Sequence, residues 1–270
     1  MIEIEVLEKI YNQLFEEQPV ILQTGFRGLD FLLSITENSS LITIGARPGM
    51  GKTSFILCIM HNLLIQNRKC LLFSLSMPTQ RIIKRLIIQK TEIDSVVLTR
   101  NEALQKRKNY KDAITEALYA IGIFDLNIID EQVNIEEIRE QIESLKPEYV
   151  FIDYLQLISV PNIKKRSEAL ETVVKELKNI ARSNECIIFI TSQLSRVSEK
   201  RMDKRPLLSD LRERGAIENI SDIVMFIHRS NKGKAEIIVA KNPEGGVGIV
   251  DLRFRASIMK FLEPVTCDEC

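Results

Sequence analysis

The stretch Gly45-Ala46-Arg47-Pro48-Gly49-Met50-Gly51-Lys52-Thr53 decides the fold of this chain. It follows a short apolar run, 41–45, and precedes a helical pattern over 54–66. Glycine at two positions lets the backbone turn its N–H groups toward an anion, and the next helix adds its positive N-terminal end. A strand, a glycine-rich loop and a helix in this order predict a phosphate-binding loop, or P-loop.

The loop residues have separate predicted roles. Lys52 would reach the β- and γ-phosphates and the Thr53 hydroxyl would coordinate Mg²⁺, so ATP and Mg²⁺ are the expected cofactors. The strict pattern requires glycine at position 46, where this chain has alanine. The alternative is a glycine-rich turn with an incidental lysine, which the flanking strand and helix disfavour. The residues assigned to nucleotide binding are Ala46, Arg47, Pro48, Gly49, Met50, Gly51, Lys52, Thr53 and Ser54.

Two further strand ends carry polar side chains. The apolar run 149–153 ends in Asp153, the carboxylate expected to help hold Mg²⁺ beside Thr53. A later run ends in Thr191-Ser192-Gln193, and Gln193 is predicted to sense the γ-phosphate because ligands bind at the carboxyl ends of strands in open α/β sheets. Simple capping of the strand is the alternative for Gln193.

The remaining pattern predicts an α/β fold. Apolar runs at 70–75, 124–129, 149–153, 186–191 and 223–227 alternate with helical patterns at 79–90, 101–121, 135–145 and 167–183. Such alternation indicates a mostly parallel sheet flanked by helices. The Asp153 strand comes after the P-loop and an intervening strand, an order that resembles RecA-like nucleotide-binding folds. Runs at 235–239 and 248–254 predict an antiparallel hairpin at the C-terminal edge, while 24–30 is interpreted as a turn-rich approach.

Composition and charge narrow the class of protein. The 270 residues are 45% hydrophobic and carry a formal net charge of zero, which is ordinary globular composition. No run is long enough to span a membrane and the N-terminus is acidic, so we expect a cytoplasmic protein with no membrane partner. The five cysteines follow no disulfide pattern; Cys267 and Cys270 indicate a frayed tail, with a metal half-site as the alternative.

Five segments resemble one family and follow that family's order. They are TGFRGLD, ARPGMGKTS, FIDYLQL, SQLSR and KRPLLSDLRERGAIE, and the likeness as a whole extends from about Thr24 to about Leu262. Together they resemble the C-terminal motor domain of DnaB-type replicative helicases. The resemblance implies a ring, usually a hexamer, with ATP between subunits and single-stranded DNA in the central channel.

The same resemblance suggests the domain boundaries. Residues 21–263 would form the RecA-like domain and 264–270 a tail. Residues 1–20 would form a helical arm that resembles the family's linker helix, which docks on the adjacent subunit. Packing of this arm on its own domain remains open, and the family's separate N-terminal domain has no counterpart in this sequence.

The DNA contact is also implied by resemblance. Arg212, Glu213, Arg214 and Gly215 fall where the family's channel loop contacts the phosphate backbone. A basic, glycine-containing loop would follow phosphates without reading sequence. A solvated surface loop is the alternative. Residues 164–166, Lys-Lys-Arg, are a second candidate contact, for which a solvated surface is an equally good interpretation.

Two departures from the family affect hydrolysis. The family's catalytic glutamate aligns with Ser76, whose hydroxyl is not a base near neutral pH. The family's arginine finger aligns with Pro243, although lysine is kept at 241. Gln193 and Lys241 are therefore the catalytic candidates that remain, with weakened hydrolysis expected.

Three interpretations stay open. The chain is a helicase motor with weakened hydrolysis, acting as a homo-oligomeric ring or in a mixed ring with a helicase that supplies the arginine. Alternatively it is a non-enzymatic, nucleotide-gated paralogue that regulates helicase assembly or loading. A recombinase-like filament fits the fold but not the DYLQL and DLRERG segments.

Overall fold

The computed structural model of the chain describes residues 11, 22–34, 39–99, 108–160, 163, 165–195, 201–211, 214–230 and 233–264. Within these ranges no helix is long and apolar enough to span a lipid bilayer. Of the predicted arm at 1–20 and tail at 264–270, only Tyr11 and Pro264 are described. The two boundaries therefore stay predictions, and the Cys267–Cys270 pair lies outside the described residues.

Helices and strands alternate along most of the described chain. The helices are α1 (Arg27–Leu33), α2 (Lys52–Ile65), α3 (Thr79–Thr91), α4 (Ser95–Thr99), α5 (Lys108–Gly122), α6 (Ile135–Leu145), α7 (Arg166–Ser183) and α8 (Arg214–Ile220). The strands are β1 (Leu41–Ala46), β2 (Cys70–Ser74), β3 (Leu126–Ile129), β4 (Tyr149–Asp153), β5 (Ile187–Gln193), β6 (Ile223–Arg229), β7 (Lys234–Lys241), β8 (Gly248–Arg255) and β9 (Lys260–Leu262).

The strands form one sheet in the order β3-β2-β4-β5-β1-β6-β7-β8-β9. Neighbours from β3 to β6 run parallel, whereas β6, β7, β8 and β9 pair antiparallel. The predicted α/β class, with a mostly parallel sheet and antiparallel strands at the C-terminal end, is confirmed. Because β4, β5 and β1 are adjacent and parallel, their carboxyl ends meet at one edge of the sheet.

The core lies on both faces of the sheet because side chains alternate along each strand. Tyr149 and Phe151 pack with α2 and α3 on one face, whereas Val150 and Ile152 pack with α6 and α7 on the other. Phe151 stacks on Phe189 of β5 with ring centroids 4.9 Å apart. These apolar layers fix the strand ends that carry the polar residues of the site.

Local signals set the ends of individual helices. At the start of α6, the Asn134 side chain accepts a hydrogen bond from the Glu137 backbone, and the Glu137 carboxylate accepts one from the Asn134 backbone. This reciprocal arrangement is a capping box, which satisfies two otherwise free N–H groups. At the start of α2, by contrast, no side chain caps the Gly51 end.

Four short elements differ from the sequence expectation: α4 and α8 lie where the sequence pattern predicts no helix, and α1 and β9 are the other two. The segment interpreted as a turn-rich approach contains α1, a helix of seven residues with Leu29 and Leu33 buried. The predicted hairpin of β7 and β8 is present, but β9 adds a further strand beside β8. Both α1 and β9 are too short for a clear hydrophobic period, so tertiary packing rather than local pattern defines them.

We expect Phe151→Ala to lower the free energy of unfolding by about 3–5 kcal/mol, because the substitution opens a cavity beside Phe189 in a closely packed layer. The matched control is Phe31→Ala, since Phe31 is 82% exposed and should change stability by no more than about 0.5 kcal/mol. Urea unfolding followed by circular dichroism measures both. Equal losses in the two variants would contradict the assignment of the core.

Candidate functional site

The phosphate loop leaves β1 at Ala46 and enters α2 at Lys52. Gly49 and Gly51 have φ angles of 78° and 96°, a region that residues with a Cβ atom rarely adopt. A Cβ at Gly51 would also lie 3.1 Å from the Phe261 ring of β9, whereas one at Gly49 would meet nothing within 4 Å. The uncapped backbone N–H groups at the start of α2 are thus presented at the loop, as anion binding requires.

Lys52 brings a positive charge to the loop. Its ammonium lies 3.4 Å from the Ala46 carbonyl, which makes only a long hydrogen bond. Burial lowers the pKa of Lys52, and the nearby Asp153 carboxylate partly opposes that change. A partly buried cation with one long hydrogen bond would gain from an anionic ligand.

The predicted pair of magnesium residues meets at the sheet edge. Asp153 is 2% exposed, and its two carboxylate oxygens accept hydrogen bonds from Thr53 Oγ1 at 2.5 Å and Thr191 Oγ1 at 2.6 Å. Thr53 and Asp153 are a hundred positions apart in sequence, so the parallel sheet alone brings them together.

The donor set fits Mg²⁺ bound together with a nucleotide. A hydroxyl and a carboxylate are the hard oxygen ligands that Mg²⁺ prefers, and the ion usually takes one or two carboxylates plus phosphates and water. No group of three or more His, Cys, Asp or Glu in the described part of the chain could hold a metal by itself. A magnesium ion here would therefore depend on phosphate oxygens for its remaining ligands.

Gln193 ends β5 directly beside the phosphate loop, with Ala46 as its partner in the β1–β5 pairing. Its backbone N–H donates to Gln156 Oε1 at 3.3 Å, and Gln156 Nε2 donates to Ser192 Oγ at 2.9 Å. The predicted sensor position thus adjoins the loop. The sequence marks Gln156 only as part of the DYLQL segment, without assigning it a role, and its contacts depend on how the segment after β4 folds back on β5.

Arg85 of α3 adds a second cation that sequence did not indicate. Burial lowers the pKa of Arg85, and attraction from Asp153 raises it, so the guanidinium lies within electrostatic reach of that carboxylate. Gln89, one helical turn further on, donates to the Ser54 carbonyl at 3.2 Å, which orients this face of α3 toward the start of α2. An arginine inside a helical pattern looks like a surface residue, so only the packing of α3 reveals it.

Arg229 at the end of β6 anchors the loop from the other side. Its Nη1 donates to the Gly49 carbonyl at 3.0 Å, and the guanidinium carbon lies 3.9 Å from the centre of the Phe254 ring. This cation–π contact fixes the arginine between the sheet and the loop.

The two positions that depart from the family, Ser76 and Pro243, are both exposed, and Pro243 comes two residues after the end of β7 at Lys241. Ser76 is exposed, two residues after Ser74, which pairs with Asp153 across β2 and β4. Lys241 lies elsewhere, since its ammonium donates to the carbonyls of Glu218, Asn219 and Ser221 at 2.6, 3.2 and 2.7 Å. Lys241 thus caps the end of α8, and its catalytic role stays a prediction.

The predicted DNA loop is described only in part. Arg212 and Glu213 lie outside the described residues, whereas Arg214 and Gly215 begin α8. A Cβ at Gly215 would meet nothing within 4 Å. Lys164, in the second candidate contact, also lies outside the described residues, and its neighbour Lys165 pairs with Glu168 at 2.7 Å.

The segment that precedes and includes the predicted DNA loop, residues 196–214, has more basic than acidic residues, but ion pairs already neutralise part of its positive charge. Arg201 forms an ion pair with the buried Asp210, and Arg205 contacts Glu236 of β7 through two hydrogen bonds, at 2.7 and 2.8 Å. These arginines stabilise the approach to the loop. A net basic sequence therefore overstates the charge that this segment presents to a phosphate backbone.

A family model for the DnaB-like helicase C-terminal domain matches residues 22–263. The replicative DNA helicase DnaB of Geobacillus stearothermophilus is 35% identical over 258 residues, which cover 89% of this chain and 56% of that protein. A probable replicative DNA helicase of Trieres chinensis is 36% identical over 275 residues, covering 93% of this chain and 59% of that protein. The chain thus spans about half the length of the curated relatives it matches.

Two solved structures have the same fold. One is an isolated ATPase domain, which gives a TM-score of 0.90 at 30% identity, covering 96% of this chain and 98% of that chain. A DnaB-like replicative helicase, solved in a study of its interactions with primase, gives a TM-score of 0.88 at 30% identity, covering 98% of this chain and 67% of that chain.

We expect Gly51→Ala to destabilise the fold by about 1–3 kcal/mol, because it combines an unfavourable φ with a contact against Phe261. The same variant should weaken binding of a fluorescent ATP analogue, since the loop cannot keep its shape. Gly122→Ala is the matched control, as Gly122 ends α5 in open space. Thermal unfolding and analogue titration test both variants, and unchanged binding by Gly51→Ala would contradict the assigned loop geometry.

Proposed function

We propose, from the premise that this chain belongs to the DnaB-like helicase C-terminal domain family, that it binds ATP with Mg²⁺ and single-stranded DNA and hydrolyses ATP weakly. The observation that carries the proposal is the hydrogen bond between Thr53 and Asp153 at the N-terminal end of α2, which no side chain caps. This arrangement places oxygen ligands for Mg²⁺ beside backbone N–H groups for the phosphates, which a magnesium–nucleotide complex needs.

The chain's own groups have separable roles in binding. The N–H groups at the start of α2 and the Lys52 ammonium neutralise the phosphates. Thr53 and Asp153 would hold Mg²⁺, which when bound offsets the negative charge on the β- and γ-phosphate oxygens. Arg229 keeps the loop in shape through the Gly49 carbonyl. Asp153 also engages Thr191, so β5 responds to the occupancy of the site.

Hydrolysis needs a group that orients or deprotonates water, and the site offers few. Ser76 lies at the sheet edge where the family's glutamate aligns, and its hydroxyl cannot accept a proton near neutral pH. Loss of a general base typically lowers a rate by about 10²–10⁴-fold. Gln193 can orient a water through its amide without acting as a base. Slow turnover follows from these two residues.

The assembly that we propose is a ring, usually a hexamer in the family, with DNA in its channel. In a homo-oligomer, Pro243 leaves each site without an arginine from its neighbour, although Lys241 is kept. In a mixed ring, a helicase subunit could supply that arginine. The DNA contact would be the loop of residues 212–215, which follows the phosphate backbone without base readout.

A second candidate function is favoured by Ser76 and Pro243 together. Two losses that both affect hydrolysis, with Lys52, Thr53 and Asp153 kept, suit a nucleotide-gated regulator of helicase assembly or loading. Such a protein would bind ATP and DNA but use nucleotide only as a switch. Turnover and binding measurements distinguish this regulator from a motor.

We expect low steady-state ATP turnover with little stimulation by single-stranded DNA, and a rise of about 100-fold or more in Ser76→Glu, which restores a general base. Gln80→Glu is the matched control, because it adds the same charge at an exposed position at the start of α3. The natural chain should also bind ATP tightly, and this binding should be lost when Mg²⁺ is removed. Robust DNA-stimulated turnover by the natural chain would refute weakened hydrolysis and identify a motor.

We expect binding to single-stranded DNA to be independent of sequence and to weaken steeply with salt. The logarithm of affinity should fall with the logarithm of salt concentration, with a slope of about −0.7 for each phosphate contact. Arg212→Ala and Arg214→Ala should each make that slope shallower by about 0.7, the amount expected for the loss of one phosphate contact. Arg253→Ala on β8 is the exposed arginine control. Affinity that does not change between low and high salt would exclude the electrostatic contact.

A further inference from the structure

The carboxyl end of β5 extends beyond one of its two neighbours. On the β4 side, the last paired residues are Ile152 and Ile190. On the β1 side, pairing continues to Ala46 and Gln193. The overhang of β5, residues 191–193, therefore has a strand on one side only, and it carries the predicted sensor at its tip.

Side chains that follow β4 take the place of the missing strand. Asp153 Oδ1 accepts a hydrogen bond from Thr191 Oγ1 at 2.6 Å. Gln156 then bonds the next two residues, donating to Ser192 Oγ at 2.9 Å and accepting from the Gln193 N–H at 3.3 Å. The Gln156 amide thus supplies both a donor and an acceptor to the overhang, as a backbone neighbour would.

Beyond its tip, the overhang leads directly to the predicted DNA loop. The Leu194 N–H donates to the Ala46 carbonyl at 3.1 Å, and Leu194 forms an antiparallel bridge with Leu211. The Ser195 N–H donates to the Asp210 carbonyl at 3.1 Å. Leu211 immediately precedes Arg212 in sequence, so this bridge joins the overhang to the residue before the predicted DNA loop.

The phosphate loop shares an acceptor with this route. The Ala46 carbonyl accepts from both the Leu194 N–H and, over the longer distance of 3.4 Å, the Lys52 ammonium. A phosphate that draws Lys52 away changes the bonding of the same carbonyl that holds Leu194. Bound nucleotide can therefore affect the overhang through Ala46 and through Asp153. Gln156 itself bonds Ser192 and Gln193, and bonds neither Lys52 nor Thr53.

We propose that Gln156 is a positioning residue that couples nucleotide binding to DNA binding by making the β5 overhang move as one unit with the segment after Asp153. The proposal rests on the function proposed above. With the amide present, a displacement at Asp153 reaches Ser192 and Gln193 together. Without it, Ser192 and Gln193 have β1 as their only neighbour, and they connect to the magnesium carboxylate only through the Thr191 hydroxyl.

Gln156 has properties that suit this role better than a purely structural one. It lies in a single-turn 3₁₀-helix, Leu155–Leu157, in which Leu155 is buried and provides the packing. The Gln156 side chain itself is only partly buried, so its removal leaves the core intact. A replacement should therefore spare stability and alter communication between the two sites.

The test measures affinity for fluorescent single-stranded DNA with and without a slowly hydrolysed ATP analogue, using the full chain. Allosteric coupling typically changes affinity by about 5- to 150-fold. We expect the DNA affinity with the analogue to differ from that without it by such a ratio in the natural chain. In Gln156→Leu, the two affinities should agree within about twofold. Affinity for the analogue alone should change by less than about threefold, because Gln156 touches no phosphate ligand.

Further variants separate positioning from folding. Ser192→Ala removes only the Gln156 Nε2 contact and should give an intermediate ratio, which keeps the proposal testable if Gln156→Leu does not fold. Gln66→Leu is the matched control, since Gln66 also makes two hydrogen bonds through its amide, at the far end of α2. Its ratio should equal that of the natural chain.

The outcomes are distinguishable. A natural chain that shows coupling, with equal coupling in folded Gln156→Leu and Ser192→Ala, would overturn the positioning role and leave the proposed function standing. A natural chain that binds neither ATP nor DNA would overturn the proposed function and the coupling with it. Lost coupling with unchanged thermal unfolding and unchanged analogue affinity is the expected result.

Discussion

The buried carboxylate of Asp153 is the constraint on which the site depends. At 2% exposure an ionised carboxylate is costly unless both oxygens have partners, and here they bond Thr53 and Thr191. These contacts connect the start of α2, the end of β4 and the end of β5. The parallel order β4-β5-β1 is thus required by electrostatics at its edge as well as by apolar packing on its faces.

The main features of the fold follow from sequence because long apolar runs and a glycine-rich loop are strong local signals. The runs that became β2, β4 and β6 each contain at least four consecutive apolar residues, which is typical of strands covered on both faces. The helix α1 and the strand β9 lack such signals, because seven and three residues are too few to establish a period. Long-range packing determines both of them.

The residues of the site likewise fall into those that the sequence marks and those that only the folded structure reveals. Thr53 and Asp153 are marked by patterns that belong to their own strands and loops, and the fold brings them together as expected. Arg85 and Arg229 carry no such mark, because an arginine in a helix or at the end of a strand is ordinary at any surface, and Gln156 is marked only by the DYLQL segment, which gives it no role. Their positions depend on how α3, the turn after β4 and β6 approach the loop, which is tertiary information.

The packing of Phe261 against Gly51 has a consequence for biosynthesis. Phe261 also packs edge-on to Phe55, with ring centroids 5.2 Å apart, so the last described strand completes the floor beneath the phosphate loop. Most of the chain's length separates Phe261 from these two partners. A ribosome therefore synthesises nearly the whole domain before Phe261 can pack beneath the phosphate loop, so this contact forms late in the emergence of the nascent chain.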